Sequence, residues 1–484
     1  MDNLNDNKHK AEIYYYDIGD YLSREEKFKI IEDFGSMEKL PFTRITPNEH
    51  GDWISKRNDR FGTWIAIEPE KKFDTKAQSF FTVNSRGFET ARDFWVYTSS
   101  KENLERNISI CSEEYKKNLG KKPEELNYDS SKISWSSSLI SDVKNCRPLS
   151  EYTVKNALYR PFFKQNVYFG ESFIHRMGQM KEFFPTAESK NLLIGVNGIG
   201  SSKEFCALIT DTLPDLEYVS KSQCFPLYWY ETIEPEQNSL FGDDDAQIVK
   251  HEAISDFILE RAQSKYGNKV QREDIFYYVY GILHSKSYRE TFEADLKKML
   301  PRIPLVSDYE KFWAFSKAGR ELANLHLNYE TVAPLPEVTV ESLSEGIYEI
   351  SQPKFIPDNE LMVAEGSPAS SKKDDYNYYA VEQMKFPKKG QKDTIIYNHY
   401  HTIKNIPEKA YEYVVNGKSA IEWIMERYAV TTDKKSGITN NPNDWSREHN
   451  KPRYILDLLL SVINVSVQTV DIVNGLPEVD WDKE

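Results

Sequence analysis

Apolar residues recur with a helical period through two adjoining stretches near the middle of the chain. Ile275, Val279, Ile282 and Leu283 form one stripe, and Phe292, Leu296, Met299 and Leu300 form another. This spacing predicts two consecutive helices over about 272 to 300, the second opened by a capping box of Ser287 with Glu290 and stopped by Pro301. Stripes of this kind ordinarily pack inward, so the pair reads as core scaffold. Near the N-terminus, Ile13-Tyr-Tyr-Tyr16 reads as a short aromatic strand that needs a partner, and Ser23 with Glu26 starts a helix ending near Gly35.

Further on, Ile45 to Ile54, Phe80 to Gly87 and Thr90 to Tyr97 alternate strand-like and turn-like text. Residues 98 to 145 are helical, then polar and serine-rich, as expected of a connector. From 146 onward short strands are predicted at 159–164, 167–169, 191–196, 205–210 and 222–230. Prolines among many acids make 331–375 an irregular linker with one strand at Ile347 to Ile350. A last module at 376–484 holds a hairpin, Tyr378 to Phe386 against Thr394 to Ile403, and a helix striped by Ile421, Ile424, Met425 and Tyr428. The expected fold is α+β and multi-domain, with mixed or antiparallel sheets and packed helices. Its divisions fall at 1–145, 146–330, 331–375 and 376–484.

Composition narrows the class. With 484 residues, 39% hydrophobic and 13% aromatic, the chain can bury sizeable cores. It contains no run of about 18 or more apolar residues, and its polar start lacks the apolar core of a secretory signal, so a cytoplasmic protein without a membrane span is predicted. Cys111, Cys146, Cys206 and Cys224 are widely spaced, which suggests free thiols rather than a disulfide framework or a zinc site. The net charge of -14 is concentrated: residues 231–260 carry nine acids against one lysine, and 335–375 nine acids against three lysines. Residues 376–460 are positive, with thirteen Lys and Arg against ten acids, so basic surface is available to a polyanion.

Catalytic motifs are incomplete. Gly195-Val-Asn-Gly-Ile-Gly200 lacks the Lys and Ser/Thr that would make a phosphate loop, and a tight turn accounts for it better. Pro214-Asp-Leu-Glu217 resembles a metal-binding pair but has no Glu-x-Lys after it, so a capped turn is expected. Glu114-Tyr-Lys116 reads as solvated surface. His251-Glu lacks the second histidine of a zinc protease helix. No catalytic or metal site is predicted.

Several long strings carry a resemblance. IYYYDIGDYLSREEK at 13–27, ITPNEHGDW at 45–53, YRPFFKQ at 159–165, ITDTLPDL at 209–216, SQCFPLYWY at 222–230, the helix pair, GRELANLHLNYE at 319–330 and NGKSAIEWIMERYAVTTDKKSGITNNPNDW at 416–445 are similar to the C-terminal part of type ISP restriction-modification enzymes. That family joins a nuclease, a helicase-like ATPase, a coupling region, an adenine N6-methyltransferase and a target recognition domain in one polypeptide. The resemblance implies that residues near 13 to 20 are the last strand of the methyltransferase domain, that the text to 145 is its tail and connector, and that the remainder recognises DNA. S-adenosylmethionine, ATP and Mg would then belong to domains outside this chain. Asn441-Pro-Asn-Asp-Trp445 lacks the second proline of an adenine methyltransferase loop, which fits that assignment.

The chain is therefore expected to choose a double-stranded DNA site at which other domains methylate or cleave, alongside a methyltransferase-containing polypeptide. Candidate phosphate contacts are Arg160 and Lys164, the loop lysines Lys388, Lys389 and Lys392, and the pair Lys434 and Lys435. Arg160, set among Tyr159, Phe162 and Phe163, has a rival role in fixing the fold. Alternative readings are a protein-binding scaffold of a defence complex, favoured by the acidic segments, and an enzyme with a site of unrecognised form.

Overall fold

Two glycines set the spine of the molecule. Gly281 and Gly319 let the helices Arg272–His284 and Tyr309–Leu327 touch backbone to backbone: a Cβ on Gly319 would sit 1.9 Å from the Tyr277 carbonyl oxygen, and one on Gly281 2.3 Å from that of Phe315. Nine of the thirteen residues of Arg272–His284 are buried, so its predicted stripe is part of a helix enclosed on almost every side. The computed structural model describes residues 12–19, 22–54, 56–186, 188–233, 247–343 and 376–484.

The second predicted helix differs in detail. Ser285, not Ser287, caps it by accepting the Tyr288 N–H, and the helix breaks at Phe292 into Lys286–Thr291 and Glu293–Leu296. Tertiary packing overrides the period there. The Phe292 ring is held 4.8 Å from Trp64 and 5.2 Å from Phe61, and Asp295 accepts the Asn58 N–H.

Two four-stranded sheets lie beside this spine. In one the order is Leu213–Pro214, Thr153–Arg160, Phe163–Phe169, Tyr97–Thr98; in the other it is Ser85–Arg86, Gln223–Pro226, Leu193–Val196, Ala207–Thr210. Both contain strands from either side of residue 145, and Ile65–Ala66 pairs with Arg302–Ile303. The change of text at 146 is thus not a seam in the fold. Asp93–Val96, within the strand-like and turn-like text of Thr90 to Tyr97, is a helical turn, and Lys101–Lys117 packs along the first sheet. Glu114 is not solvated, as Glu114-Tyr-Lys116 had suggested: it is buried, and its carboxylate accepts the side-chain amides of Asn118 and Asn127.

The N-terminal strand has its partner. Ile13–Tyr15 pairs antiparallel with Thr43–Ile45, and the capping box of Ser23 with Glu26 and the left-handed Gly35 bound the helix Arg24–Phe34 as expected. That helix buries no residue.

In the C-terminal part, Thr339–Ser342 forms a strand within the supposed linker and pairs with His401–Lys404. The strand expected at Ile347 to Ile350 lies outside the described residues. The hairpin of 378–386 with 394–403 is reduced to a bridge between Lys385 and Ile396. Asn398 breaks the second arm: its side-chain Oδ1 accepts the Tyr400 and His401 N–H groups, turning Ile395–Ile396 back onto His401–Lys404. The helix Ala420–Arg427 is capped by Ser419 and Glu422 and buries its predicted stripe.

The long helix Tyr454–Asn474 was not anticipated. It is the one described helix long and apolar enough to cross a membrane, and 67% of that stretch is buried inside the protein. Its polar positions face protein partners, with Ser461 donating to the Tyr329 carbonyl and Thr469 bonded to His326. The four cysteines are free, and only Cys146 is exposed.

Candidate nucleic-acid interface

The seven basic residues singled out from sequence fall into three settings. Arg160 sits in a knot of side chains at the end of its strand in the first sheet. Its Nη1 donates to Asp215 Oδ1 at 2.7 Å, its Nη2 lies 3.6 Å from Asp93, and the guanidinium covers the Tyr159 ring at 3.8 Å. Asp215 also accepts the Tyr97 hydroxyl and the Glu217 N–H, so Pro214 to Glu217 is the capped turn that its spacing suggested. Burial pushes the Asp215 carboxyl up to about 7 against the pull of Arg160. A cation committed in this way has little left for a phosphate.

Lys164, on the same hairpin, lines a cavity of about 160 Å³ where the first sheet meets the C-terminal module. Its Nζ lies 2.9 Å from Glu330, whose other carboxylate oxygen accepts the Tyr454 hydroxyl at 2.6 Å. Trp445, in the helix Asn443–Glu448, forms part of the wall and packs 4.0 Å from both Tyr454 and His449. Sequence reasoning passed over Trp445 because Asn441 to Trp445 looked like a polar loop. Nothing in the local text shows that Tyr454 closes on it.

Lys434 and Lys435 form the tip of the hairpin Thr431–Thr432 with Thr439–Asn440. Asp433 accepts the Ser436 N–H and hydroxyl, which fixes the turn, and the Lys435 carbonyl accepts the Ser130 hydroxyl at 2.9 Å. At the base of the hairpin, Asn440 accepts the N–H of Ser99, a residue of the cavity wall. Lys164 and this pair are therefore brought onto one region. Lys388, Lys389 and Lys392 sit in another loop, from which Lys392 reaches the helix Ala420–Arg427 and pairs with Glu422 at 3.0 Å. Lys388, Lys389, Lys434 and Lys435 are exposed and make no ion pair among the described residues.

The remaining motifs are structural. A Cβ on Gly195 would collide with the Tyr218 hydroxyl and one on Gly198 would lie 2.1 Å from the Lys221 carbonyl oxygen, so close packing demands these glycines. His251 stacks on Trp229 at 4.2 Å and pairs with Glu231. In the loop 48–58, Asp52 accepts from Arg57 and Lys298, which holds its carboxyl below the usual carboxylate range. This leaves Trp53 and Ile54 exposed. Glu49, His50 and Asp59 bring possible metal-ligand atoms within 4.8 Å of one another, all on exposed residues.

Residues 79–458 match the Type ISP C-terminal specificity domain. The chain belongs to that family. Its fold recurs in the ATP-dependent Type ISP restriction-modification enzyme LlaBIII bound to DNA, with a TM-score of 0.79 and 37% identity, over 97% of this chain and 28% of that one. A nuclease-deletion mutant of the Type ISP enzyme LlaGI, in complex with a DNA substrate mimic, gives 0.76 and 36% over 96% of this chain and 33% of its own. The DrdV–DNA complex gives 0.75 and 26% over 96% and 43%. The chain thus spans less than half the length of each of these solved relatives. No curated protein matches it. As a Type ISP specificity domain it belongs to the recognition part of such enzymes, and the structural likeness extends beyond 79–458 to almost the whole chain.

Proposed function

We propose that this chain selects the double-stranded DNA site at which a type ISP-like enzyme acts, while methylation, translocation and cleavage are carried out by domains outside it. The specificity-domain match over residues 79–458 carries the reading. S-adenosylmethionine, ATP and Mg belong to those other domains, and the module works on cytoplasmic DNA. Lys434, Lys435, Lys388 and Lys389 contact phosphates, whereas Arg160 holds the hairpin that carries Lys164. The methyltransferase-containing region docks on the N-terminal strand and helix, whose Tyr14, Phe28, Ile31, Met37 and Phe42 stand exposed.

Selection of the purified chain against random duplexes, at low and moderate salt, alone and with a co-expressed methyltransferase region, tests this. Enrichment of one sequence that survives moderate salt is expected; salt-labile binding with no enrichment would leave a protein-binding scaffold instead. The double variant Lys434→Ala, Lys435→Ala should weaken binding evenly across sequences and make the log–log salt dependence shallower by about 2. Arg160→Met should instead cost about 3–5 kcal/mol of folding stability by leaving Asp215 buried and unpaired.

A further inference from the structure

The loop that follows the helix Lys101–Lys117 is held by a network of amides and turns its cations outward. Asn118 is fully buried: its side-chain nitrogen donates to the Glu114 carboxylate at 2.9 Å, and its side-chain oxygen accepts the Lys121 ammonium at 3.0 Å. The same Glu114 oxygen accepts the Asn127 side-chain amide at 3.0 Å, and the Asn127 backbone carbonyl accepts the Trp135 indole N–H at 2.7 Å. The loop is thus pinned at both ends. Across it the Tyr128 hydroxyl donates to the Pro123 carbonyl at 3.0 Å, with Lys122 adjoining Pro123 and the Tyr128 ring 58% exposed. Two residues further on, the Ser130 hydroxyl donates to the Lys435 carbonyl at 2.9 Å, so this loop and the tip of the hairpin Thr431–Thr432 with Thr439–Asn440 form one surface.

That surface is locally basic on an acidic chain. Residues 116–132 carry five lysines against three acids. Lys122, Lys132, Lys434 and Lys435 are exposed and hold no ion pair among the described residues. Three neighbouring carboxylates are engaged in their own turns instead: Glu125 accepts the Lys122 N–H, Asp129 the Ser131 N–H and hydroxyl, and Asp433 the Ser436 N–H and hydroxyl. Only Glu124 remains in the loop to oppose the lysines. On the hairpin, Thr432 and Thr439 pair directly and are exposed on the face opposite Asn440, which is bonded to Ser99. The loop's two side-chain amides, Asn118 and Asn127, are engaged within it. What faces outward is charge and hydroxyls, the groups that position a duplex without reading it.

We propose that the loop 118–132 and the hairpin tip together hold the sugar–phosphate backbone of duplex DNA, with Lys122, Lys132, Lys434 and Lys435 on phosphates and the Tyr128 ring against deoxyribose. The inference rests on the DNA-recognition reading above and adds to it a segment whose sequence reads as a connector. The Ser130–Lys435 bond fixes the two lysine pairs relative to each other before any DNA arrives, so little ordering is required on binding.

Anisotropy titrations of the full chain with random-sequence duplex across a salt series test the assignment. The double variant Lys122→Gln, Lys132→Gln should make the log–log salt dependence shallower by about 2 and weaken binding about tenfold or more at about 0.1 M salt. Its thermal unfolding should match that of the unaltered chain, since both side chains are exposed. Selection against random duplexes should return the same sequence for the variant as for the unaltered chain. A photoreactive benzophenone side chain in place of Tyr128 should crosslink to bound duplex of any sequence. An unchanged salt slope, or no crosslink from position 128 to duplex that is bound, overturns the assignment and leaves DNA recognition standing. A changed sequence preference in the double variant overturns it as a backbone contact. Failure of the unaltered chain to bind any duplex even at low salt overturns both.

Discussion

The N-terminal 41 described positions up to Ile54 and the body that begins at Phe61 treat apolar side chains in opposite ways. Seven of the seventeen large apolar side chains exposed among the described residues, from Tyr14 to Ile54, lie in the short first part. The body buries its aromatic residues in one continuous core that runs from Phe61 to Trp481. Yet the first part has sharply defined local structure, with Arg24–Phe34 bounded by a capping box and a left-handed glycine. Local hydrogen bonds can mark where a helix starts and stops, but an isolated helix of that length is marginal in water. The ends of the helix are specified by its own sequence, and its packing within this chain adds little.

That contrast can be broken most severely at the crossing of the two spine helices. Gly319→Val would drive a branched side chain into the Tyr277 carbonyl, and a loss of about 3 kcal/mol or more is expected in urea denaturation of the body. Amide exchange in Arg24–Phe34 should be unchanged, because that helix makes no use of the spine.

Acid separates the regions more gently. His326 is buried between the Tyr280 hydroxyl and Thr469, and burial pulls its imidazole down to about 3; burial also lowers its neighbour His284. The folded state holds His326 neutral while the unfolded chain protonates it near pH 6.5, so the stabilisation is complete above that pH and declines as pH falls. The decline reaches about 2 kcal/mol by pH 5. Asp52 is acid-labile in the same direction but in a lower window: its depressed carboxyl contributes fully above about pH 4 and loses its hold only below that. Between pH 6.5 and 4 the body should weaken while the 48–58 loop keeps its amide protection. Simultaneous loss of both would contradict the separation.

The smallest effect sharpens the comparison. Phe28→Ser with Ile31→Ser should change the stability of the isolated chain by no more than about 0.5 kcal/mol, since neither side chain is buried. If a methyltransferase-containing region docks there as proposed, co-purification with it should nevertheless be lost. Unfolding of the isolated chain by this pair would show that the two parts are one cooperative unit.

Elements marked by local chemistry were readable before folding was considered. Ser23 with Glu26 and the Pro214 to Glu217 turn follow from contacts within a few residues, whereas the strand expected at 159–164 spans the tight turn between Thr153–Arg160 and Phe163–Phe169. What was misread depends on distant partners. Phe292 interrupts a good helical period because Phe61 and Trp64 claim its ring, and Glu114 enters the core because Asn118 and Asn127 supply its hydrogen bonds. Tyr454–Asn474 went unseen because Asp457 and Asn464 interrupt its apolar run, although the surrounding positions are buried. The site suffered from the same limit. Lysine type and exposure selected Lys434 and Lys435, but the pocket beside them is assembled from residues as far apart as Ser99 and Tyr454.

The ladders that join strands from before and after residue 145 have a consequence for exchanging specificities between related enzymes. A chimaera spliced at 145 would leave Tyr97–Thr98 and Ser85–Arg86 facing foreign edges, with mismatched registers in both sheets. A crossover placed between Ile54 and Phe61 instead transplants the whole hydrogen-bonded body as one cassette, requiring the Asp52–Lys298 and Asn58–Asp295 contacts to be matched at the junction.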